Sequence, residues 1–123
     1  MTSWITICDT CKREGWTPQT QPLTDGEIFA GLIEDRAAAA GVKTRRVSCM
    51  IGCVRACNVA VQTPEKLAYV LGTFEQNTEK AHAVGDNAAL HQASETGQVP
   101  YRDWPQAVKG HFTTRMTPLP DTD

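Results

Sequence analysis

Five cysteines are the residues of this sequence best suited to chemistry. Four of them form two short runs, Cys8-Asp9-Thr10-Cys11 and Cys49-Met50-Ile51-Gly52-Cys53, and Cys57 follows the second run. Two pairs of thiolates from separate loops can surround one metal centre, and sulfur ligands select zinc, copper(I) or iron–sulfur clusters over hard cations. The spacing therefore indicates thiolate coordination of a metal or a cluster.

The number of cysteines and the N-terminal residues indicate a compartment. Five is an odd number, so complete pairing into intrachain disulfides is excluded. No segment approaches the roughly 18 consecutive apolar residues of a membrane helix, and the first residues resemble no signal peptide. We therefore expect a cytoplasmic protein without a membrane partner. In that reducing compartment, clustered cysteines more often bind metal or perform redox chemistry than form structural disulfides.

Length and composition favour one globular domain. The chain has 123 residues, of which 41% are hydrophobic and 21% charged, and these values argue against intrinsic disorder. We predict a single domain over residues 1–123, with a C-terminal extension from about residue 98. The net charge of -2 lacks the basic excess of a nucleic-acid-binding protein, so we expect no nucleic-acid partner.

The order of predicted elements places the two cysteine runs together. Residues 3–7 are predicted to form a strand that ends at Cys8, and residues 43–48 a strand that ends at Cys49. A helix over about residues 26–40, preceded by the capping signature Thr24-Asp25-Gly26-Glu27, would connect them. Two strands joined by such a helix are parallel, and their carboxyl ends lie at the same end of the sheet.

The second half of the chain completes an α/β fold. Strands are predicted over residues 57–62 and 67–71, a helix over 78–96 with a break at Gly85, and a short helical stretch over 106–115. The resulting β-α-β-β-β-α order matches the thioredoxin-like fold. His82, His91 and His111 are predicted to lie on the surface.

The strand ending at Cys8, the long helix and the Cys-x-x-x-Cys run resemble the thioredoxin-like [2Fe-2S] ferredoxins. In that family two ligands lie in the loop after the first strand and two in the loop after the second strand. The resemblance implies one [2Fe-2S] cluster on Cys8, Cys11, Cys49 and Cys53, electron transfer to a redox partner protein, and a homodimer. The family's second ligand lies farther along its loop than Cys11 does, so Cys57 is a substitute fourth ligand.

A second resemblance covers nearly the whole chain. Its motifs are the two cysteine runs, the segment Lys66-Leu-Ala-Tyr-Val-Leu-Gly72 and the segment Val99-Pro-Tyr-Arg-Asp-Trp-Pro105. They resemble a bacterial family of unknown function described as predicted metal-binding proteins. This resemblance implies a cysteine-bound metal and no particular reaction.

Several alternatives stay open at this point. The same four sulfurs suit zinc, and the protein would then bind or deliver a soft metal. Cys8 and Cys11 form a Cys-x-x-Cys motif typical of thiol–disulfide proteins. Against that role, Cys11 is separated from the Thr24 helix start by a long loop, whereas an activated cysteine usually lies at a helix N-terminus. Cys57 is alternatively an inward-facing strand residue, and a remaining interpretation is an interaction module with inert cysteines.

No enzyme motif accompanies the cysteines. The sequence contains no phosphate-binding loop, dinucleotide-binding glycine pattern, zinc-protease motif or nucleophile elbow. We therefore expect an electron-transfer or metal-binding protein rather than an enzyme with its own substrate pocket.

Overall fold

The computed structural model describes residues 2–51 and 56–120. They form a five-stranded sheet with two helices that pack against each other and share one core with the sheet. The strands are Trp4–Cys8 (β1), Lys43–Val47 (β2), Val59–Gln62 (β3), Ala68–Leu71 (β4) and Phe112–Met116 (β5). The helices are Asp25–Ala40 (α1) and Thr78–Ala93 (α2), and single-turn 3-10 helices span Tyr101–Asp103 and Gln106–Val108. The chain is thus of the mixed α/β class.

The sheet order is β2-β1-β3-β4-β5, and β1 pairs in parallel only with β2. In that pairing Cys8 lies opposite Val47, so the loops that follow β1 and β2 leave the sheet at the same end. Strand β3 runs antiparallel to β1, with Val59 opposite Ile7. The residues just before β3 therefore lie at this end too, which we call the cysteine end of the sheet.

Helix α1 follows the sequence signals closely. Thr24 and Glu27 form a reciprocal capping box, with Glu27 N donating to Thr24 Oγ1 at 3.1 Å and Thr24 N donating to Glu27 Oε1 at 2.9 Å. Gly41 ends the helix in the left-handed conformation, with φ of 74°. The predicted helix is confirmed to within one residue.

Helix α2 differs from the prediction at two places. It ends at Ala93 rather than at residue 96, and it continues through Gly85 without a break. A Cβ atom at Gly85 would lie 2.7 Å from Cγ of Arg36 in α1. The glycine therefore permits close approach of the two helices and does not interrupt the helix.

The helix predicted over residues 106–115 is wrong. Only Gln106–Val108 is helical, as a single 3-10 turn, and Phe112–Met116 forms β5. Strand β5 runs antiparallel to β4, with Ala68 opposite Met116. The sheet hydrogen bonds that β4 offers outweigh the weak local helical preference, so the C-terminal part of the chain completes the sheet. Within residues 2–51 and 56–120, no helix is long and apolar enough to span a membrane.

Candidate functional site

Cys8 is fixed by the backbone of both neighbouring strands. Its N–H donates to the carbonyl of Asn58 at 3.1 Å, and the next N–H, of Asp9, donates to the carbonyl of Val47 at 3.0 Å. These bonds continue the sheet ladder beyond β1 on both sides. The Cys8 side chain is 1% exposed, so its sulfur is held inside the protein at the cysteine end.

The sulfur of Cys8 lies in a hydrogen-bonding environment, with Thr10 Oγ1 at 3.6 Å. Burial raises the pKa of the Cys8 thiol, but hydrogen bonding with Cys11, Thr10 and Met50 outweighs this effect. The net pKa lies below the ordinary value for cysteine. Hydrogen bonds to the charged form stabilise it, so this environment favours a Cys8 thiolate.

Cys11 has the opposite ionisation behaviour although it touches Cys8. Burial and the hydrogen bond shared with Cys8 raise the pKa of Cys11 to about 12, against a smaller lowering by hydrogen bonds from Asn58. In this pair the proton is therefore favoured on Cys11 and the thiolate on Cys8. The structure thus brings together the first two predicted ligands, Cys8 and Cys11. They form a buried pair whose pKa values are shifted in opposite directions.

The loop after β2 reaches this pair. The Thr10 hydroxyl in the first cysteine loop donates to the carbonyl of Ser48, next to Cys49 in the second. Cys49 itself is exposed, and its sulfur accepts a hydrogen bond from the Ile51 N–H at 3.3 Å. The structure therefore brings the two cysteine loops into contact, while the Cys49 side chain remains at the surface.

The two remaining cysteines are Cys53 and Cys57. Cys53 lies outside the described residues. Cys57 is fully buried in the hydrophobic core, and burial, followed by the neighbouring Cys11 and Asp25, raises its pKa to about 12. Among the residues that the structure describes, no three His, Cys, Asp or Glu side chains are already gathered to hold a metal ion.

Helix α1 begins against the cysteine loop. Gly26 N donates to the carbonyl of Cys11 at 2.9 Å, and the Thr24 hydroxyl donates to the carbonyl of Asp9. The argument that a long loop separates Cys11 from the helix start is therefore wrong, because the two are in contact in the folded protein. The loop folds back, and the positive end of the helix dipole lies beside the cysteine pair.

Asp25 closes this loop, and sequence reasoning missed it. The side chain is 3% exposed; Oδ2 accepts from Arg13 N at 2.6 Å and Oδ1 accepts from Gln21 Nε2 at 2.9 Å. The two donors come from opposite ends of the loop, so one carboxylate ties both ends to α1. An acidic residue directly after a helix cap was the available signal, but it is also common for purely local reasons.

A family model described as "Protein of unknown function (DUF1636)" matches residues 5–118. The chain belongs to the DUF1636 family. The match includes both cysteine runs and extends through β5. No curated protein and no solved structure matches the chain. The predicted membership of an uncharacterised family is therefore confirmed, and the resemblance to ferredoxins stays a prediction.

The histidines of this DUF1636 protein do not join the cysteine site. The surface location predicted for His91 is wrong, because its side chain is 1% exposed. Its Nε2 lies 2.7 Å from the carbonyl oxygen of Leu67, which requires a proton on Nε2, and Nδ1 accepts from Ser3 Oγ at 2.8 Å. Burial lowers the pKa of His91, so the ring is a neutral structural group. His82 is exposed as predicted, and His111 is partly buried and stacks on Phe74.

Proposed function

We propose that this DUF1636 protein is a thioredoxin-like, cysteine-ligated iron–sulfur protein. It would hold one [2Fe-2S] cluster on Cys8, Cys11, Cys49 and Cys53 and act as a one-electron carrier or redox partner subunit. The hydrogen bond from the Thr10 hydroxyl to the Ser48 carbonyl carries the proposal, because it joins the two cysteine loops at one end of the sheet. A cytoplasmic location, a redox partner protein and a homodimer belong to the same proposal.

The donor set suits such a cluster chemically. Cysteine ligands bind as thiolates, and the lowered pKa of Cys8 favours that form before any metal arrives. Hydrogen bonding with Met50 lowers the pKa of Cys8, and hydrogen bonding with Asn58 partly offsets the raised pKa of Cys11. Hydrogen bonds of this kind orient ligand sulfurs and tune the reduction potential. When bound, the cluster supplies reversible one-electron transfer.

The protein would position the cluster and exclude water from one side of it. Cys8 and Cys11 hold their sulfurs within the core, whereas Cys49 lies at the surface. A centre bound between them would be buried on one side and near solvent on the other. That arrangement suits outer-sphere electron transfer, in which a partner approaches the exposed side and no bond to a substrate forms.

The sheet supports the thioredoxin-like assignment. A parallel β1-α1-β2 unit is followed by antiparallel β3 and β4 and by α2, as the sequence order predicts for this fold. Strand β5 extends the sheet beyond β4.

One observation favours a second function, thiol–disulfide exchange. The hydrogen-bonded pair combines a lowered pKa on Cys8 with a pKa of about 12 on Cys11. The Cys8 thiolate would attack a disulfide sulfur of the oxidant, form a mixed disulfide and release one thiolate. Cys11 would then pass its proton to the thiolate released first, attack the Cys8 sulfur and release the second thiolate, leaving a Cys8–Cys11 disulfide. Burial of both sulfurs opposes direct attack by a large partner.

Purification without oxygen tests the proposal. The visible spectrum, the iron and sulfide content and the EPR spectrum after reduction should show two irons and two sulfides per chain and a one-electron paramagnetic signal. A colourless protein with stoichiometric zinc would overturn the cluster assignment in favour of a zinc site. A colourless, metal-free protein with a reversible Cys8–Cys11 disulfide would instead support thiol exchange.

A further inference from the structure

The face of the sheet opposite the helices carries an open cleft. Its volume is about 840 Å³, and its lining includes Trp4, Arg45, Gln62, Met116 and Leu119. We call it the outer cleft. It lies where β1 begins, whereas Cys8 is the last residue of the same strand. The outer cleft is therefore separate from the cysteine site and is not used by the proposed function.

Trp4 faces this side because side chains alternate along β1. Ile5 and Ile7 are fully buried under the helices, whereas the Trp4 indole is 37% exposed. Met116 and Leu119 are 63% and 90% exposed. The cleft therefore offers a flat aromatic surface with flexible apolar side chains beside it. Clefts of this volume are typical of small-molecule sites.

Arg45 and Lys66 line the outer cleft, and Lys43 lies beside it against Trp4. Lys66 is already engaged, because its Nζ donates to the carbonyls of His91 and Gln92. Arg45 lies on the cleft wall, where Nε donates to Thr6 Oγ1 at 2.7 Å and Nη2 to Gln62 Oε1 at 3.4 Å. These partners are neutral, so they fix the guanidinium without neutralising it. Lys43 Nζ lies 5.4 Å from the centroid of the Trp4 ring.

Neither Arg45 nor Lys43 has an acidic partner in the described part of the chain. The ion pairs there are Arg36–Asp86 and Arg46–Glu34. Glu65 also lines the outer cleft, but it makes no ion pair with Arg45 among these residues. A held guanidinium and an exposed indole thus share one concave surface, with the Lys43 ammonium beside the indole.

We propose that the outer cleft binds a planar organic anion. Its ring would stack on Trp4, and its carboxylate, sulfonate or phosphate oxygens would accept hydrogen bonds from the free N–H groups of Arg45 and attract Lys43. Arginine suits this role because its planar fork binds two anion oxygens at once. The site requires no metal and stands independently of the proposed function.

Calorimetric titration with naphthoate and with neutral naphthalenemethanol tests this site. Naphthoate should bind saturably at one site per chain and at least about tenfold more tightly than the alcohol, as expected for charged hydrogen bonds. Arg45→Gln should weaken naphthoate binding about tenfold or more and leave the alcohol nearly unchanged, whereas Trp4→Ala should weaken both. Circular dichroism establishes that each variant is folded.

The matched control is Lys109→Gln. Lys109 Nζ lies 4.4 Å from the Tyr101 ring centroid, so it is a cation–aromatic pair outside the outer cleft. This variant should bind naphthoate as the parent protein does. Equal affinity for both probes, no detectable naphthoate binding, or no effect of Arg45→Gln would overturn the proposal. So would loss of naphthoate binding as the chain self-associates at high concentration, since the face would then be a subunit interface.

Discussion

The backbone amide of Gly26 donates a hydrogen bond to the carbonyl oxygen of Cys11 at 2.9 Å. Through this contact the first turn of α1 rests directly on the loop that carries Cys8 and Cys11. The approach is so close that a Cβ atom at position 26 would lie 2.2 Å from the Cys8 carbonyl oxygen. The position of the helix and the position of the two thiols are therefore linked.

Gly26→Ala should destabilise the protein by about 1–3 kcal/mol, because the methyl group must displace the Cys8–Asp9 backbone. The matched control is Gly31→Ala in the same helix, where nothing lies within 4 Å of the added Cβ. That variant should gain about 0.5–1 kcal/mol from helix propensity. Urea unfolding measures both, and shifts of the same sign in the two variants would contradict the close contact.

Single cysteine variants should identify the fourth ligand. We expect Cys11→Ser to lose most of the iron and sulfide found after anaerobic purification, and Cys57→Ala to retain them. The reason is that Cys11 shares a loop and a hydrogen bond with Cys8, whereas Cys57 lies outside the Cys-x-x-Cys and Cys-x-x-x-Cys runs of both cysteine loops and its pKa is raised mainly by burial. The opposite pattern would assign the ligand role to Cys57.

Asp25→Ala should loosen the loop of residues 12–23. It removes the acceptors of the Arg13 N–H and the Gln21 side-chain amide, and we expect a loss of about 1–3 kcal/mol in unfolding free energy. Trypsin should cleave after Lys12 and Arg13 faster than in the parent protein. Asp35→Ala, an exposed position on the same helix, is the control and should leave both measurements almost unchanged. Equal cleavage rates in the two variants would argue against the proposed role of the Asp25 carboxylate in holding the loop.

The buried His91 should make stability depend on pH. Burial lowers the pKa of His91 from its ordinary value of 6.5, so the unfolded chain takes up the proton first as the pH falls. The stabilisation is complete above about pH 6.5 and is lost as the pH falls through the lower folded-state pKa. Urea unfolding at pH 7.5 and pH 5 should show this decrease in the parent protein and a smaller one in His91→Gln. His82→Gln, which removes an exposed histidine, should retain it; an identical decrease in His91→Gln would exclude this origin.

Local signals made much of the architecture predictable. The capping box at Thr24 and the left-handed Gly41 define α1, and the apolar run before Cys8 defines β1 to within a residue. Strand β5 was missed because its sequence, Phe-Thr-Thr-Arg-Met, is largely polar and lies at the edge of the sheet. Its conformation depends on pairing with β4, which is distant in sequence.

The cysteine site was predictable only in part. Topology alone indicated that the loops after β1 and β2 would meet, and they do. The return of residues 12–23 to the start of α1 depends on tertiary hydrogen bonds of Asp25 and Gly26 that leave no periodic pattern in the sequence. The spacing of the cysteines does not distinguish the two proposed centres, because four thiolates suit both an iron–sulfur cluster and zinc.

The burial of Cys8 and Cys11 also makes them reporters of motion. An alkylating reagent can modify either sulfur in the metal-free protein only when the surrounding loop opens, whereas it reaches Cys49 directly. The alkylation rate of the buried pair would therefore measure the free energy of that local opening, as amide hydrogen exchange does for backbone groups. The thiols of the candidate site would thus report the local stability of the loop that encloses them.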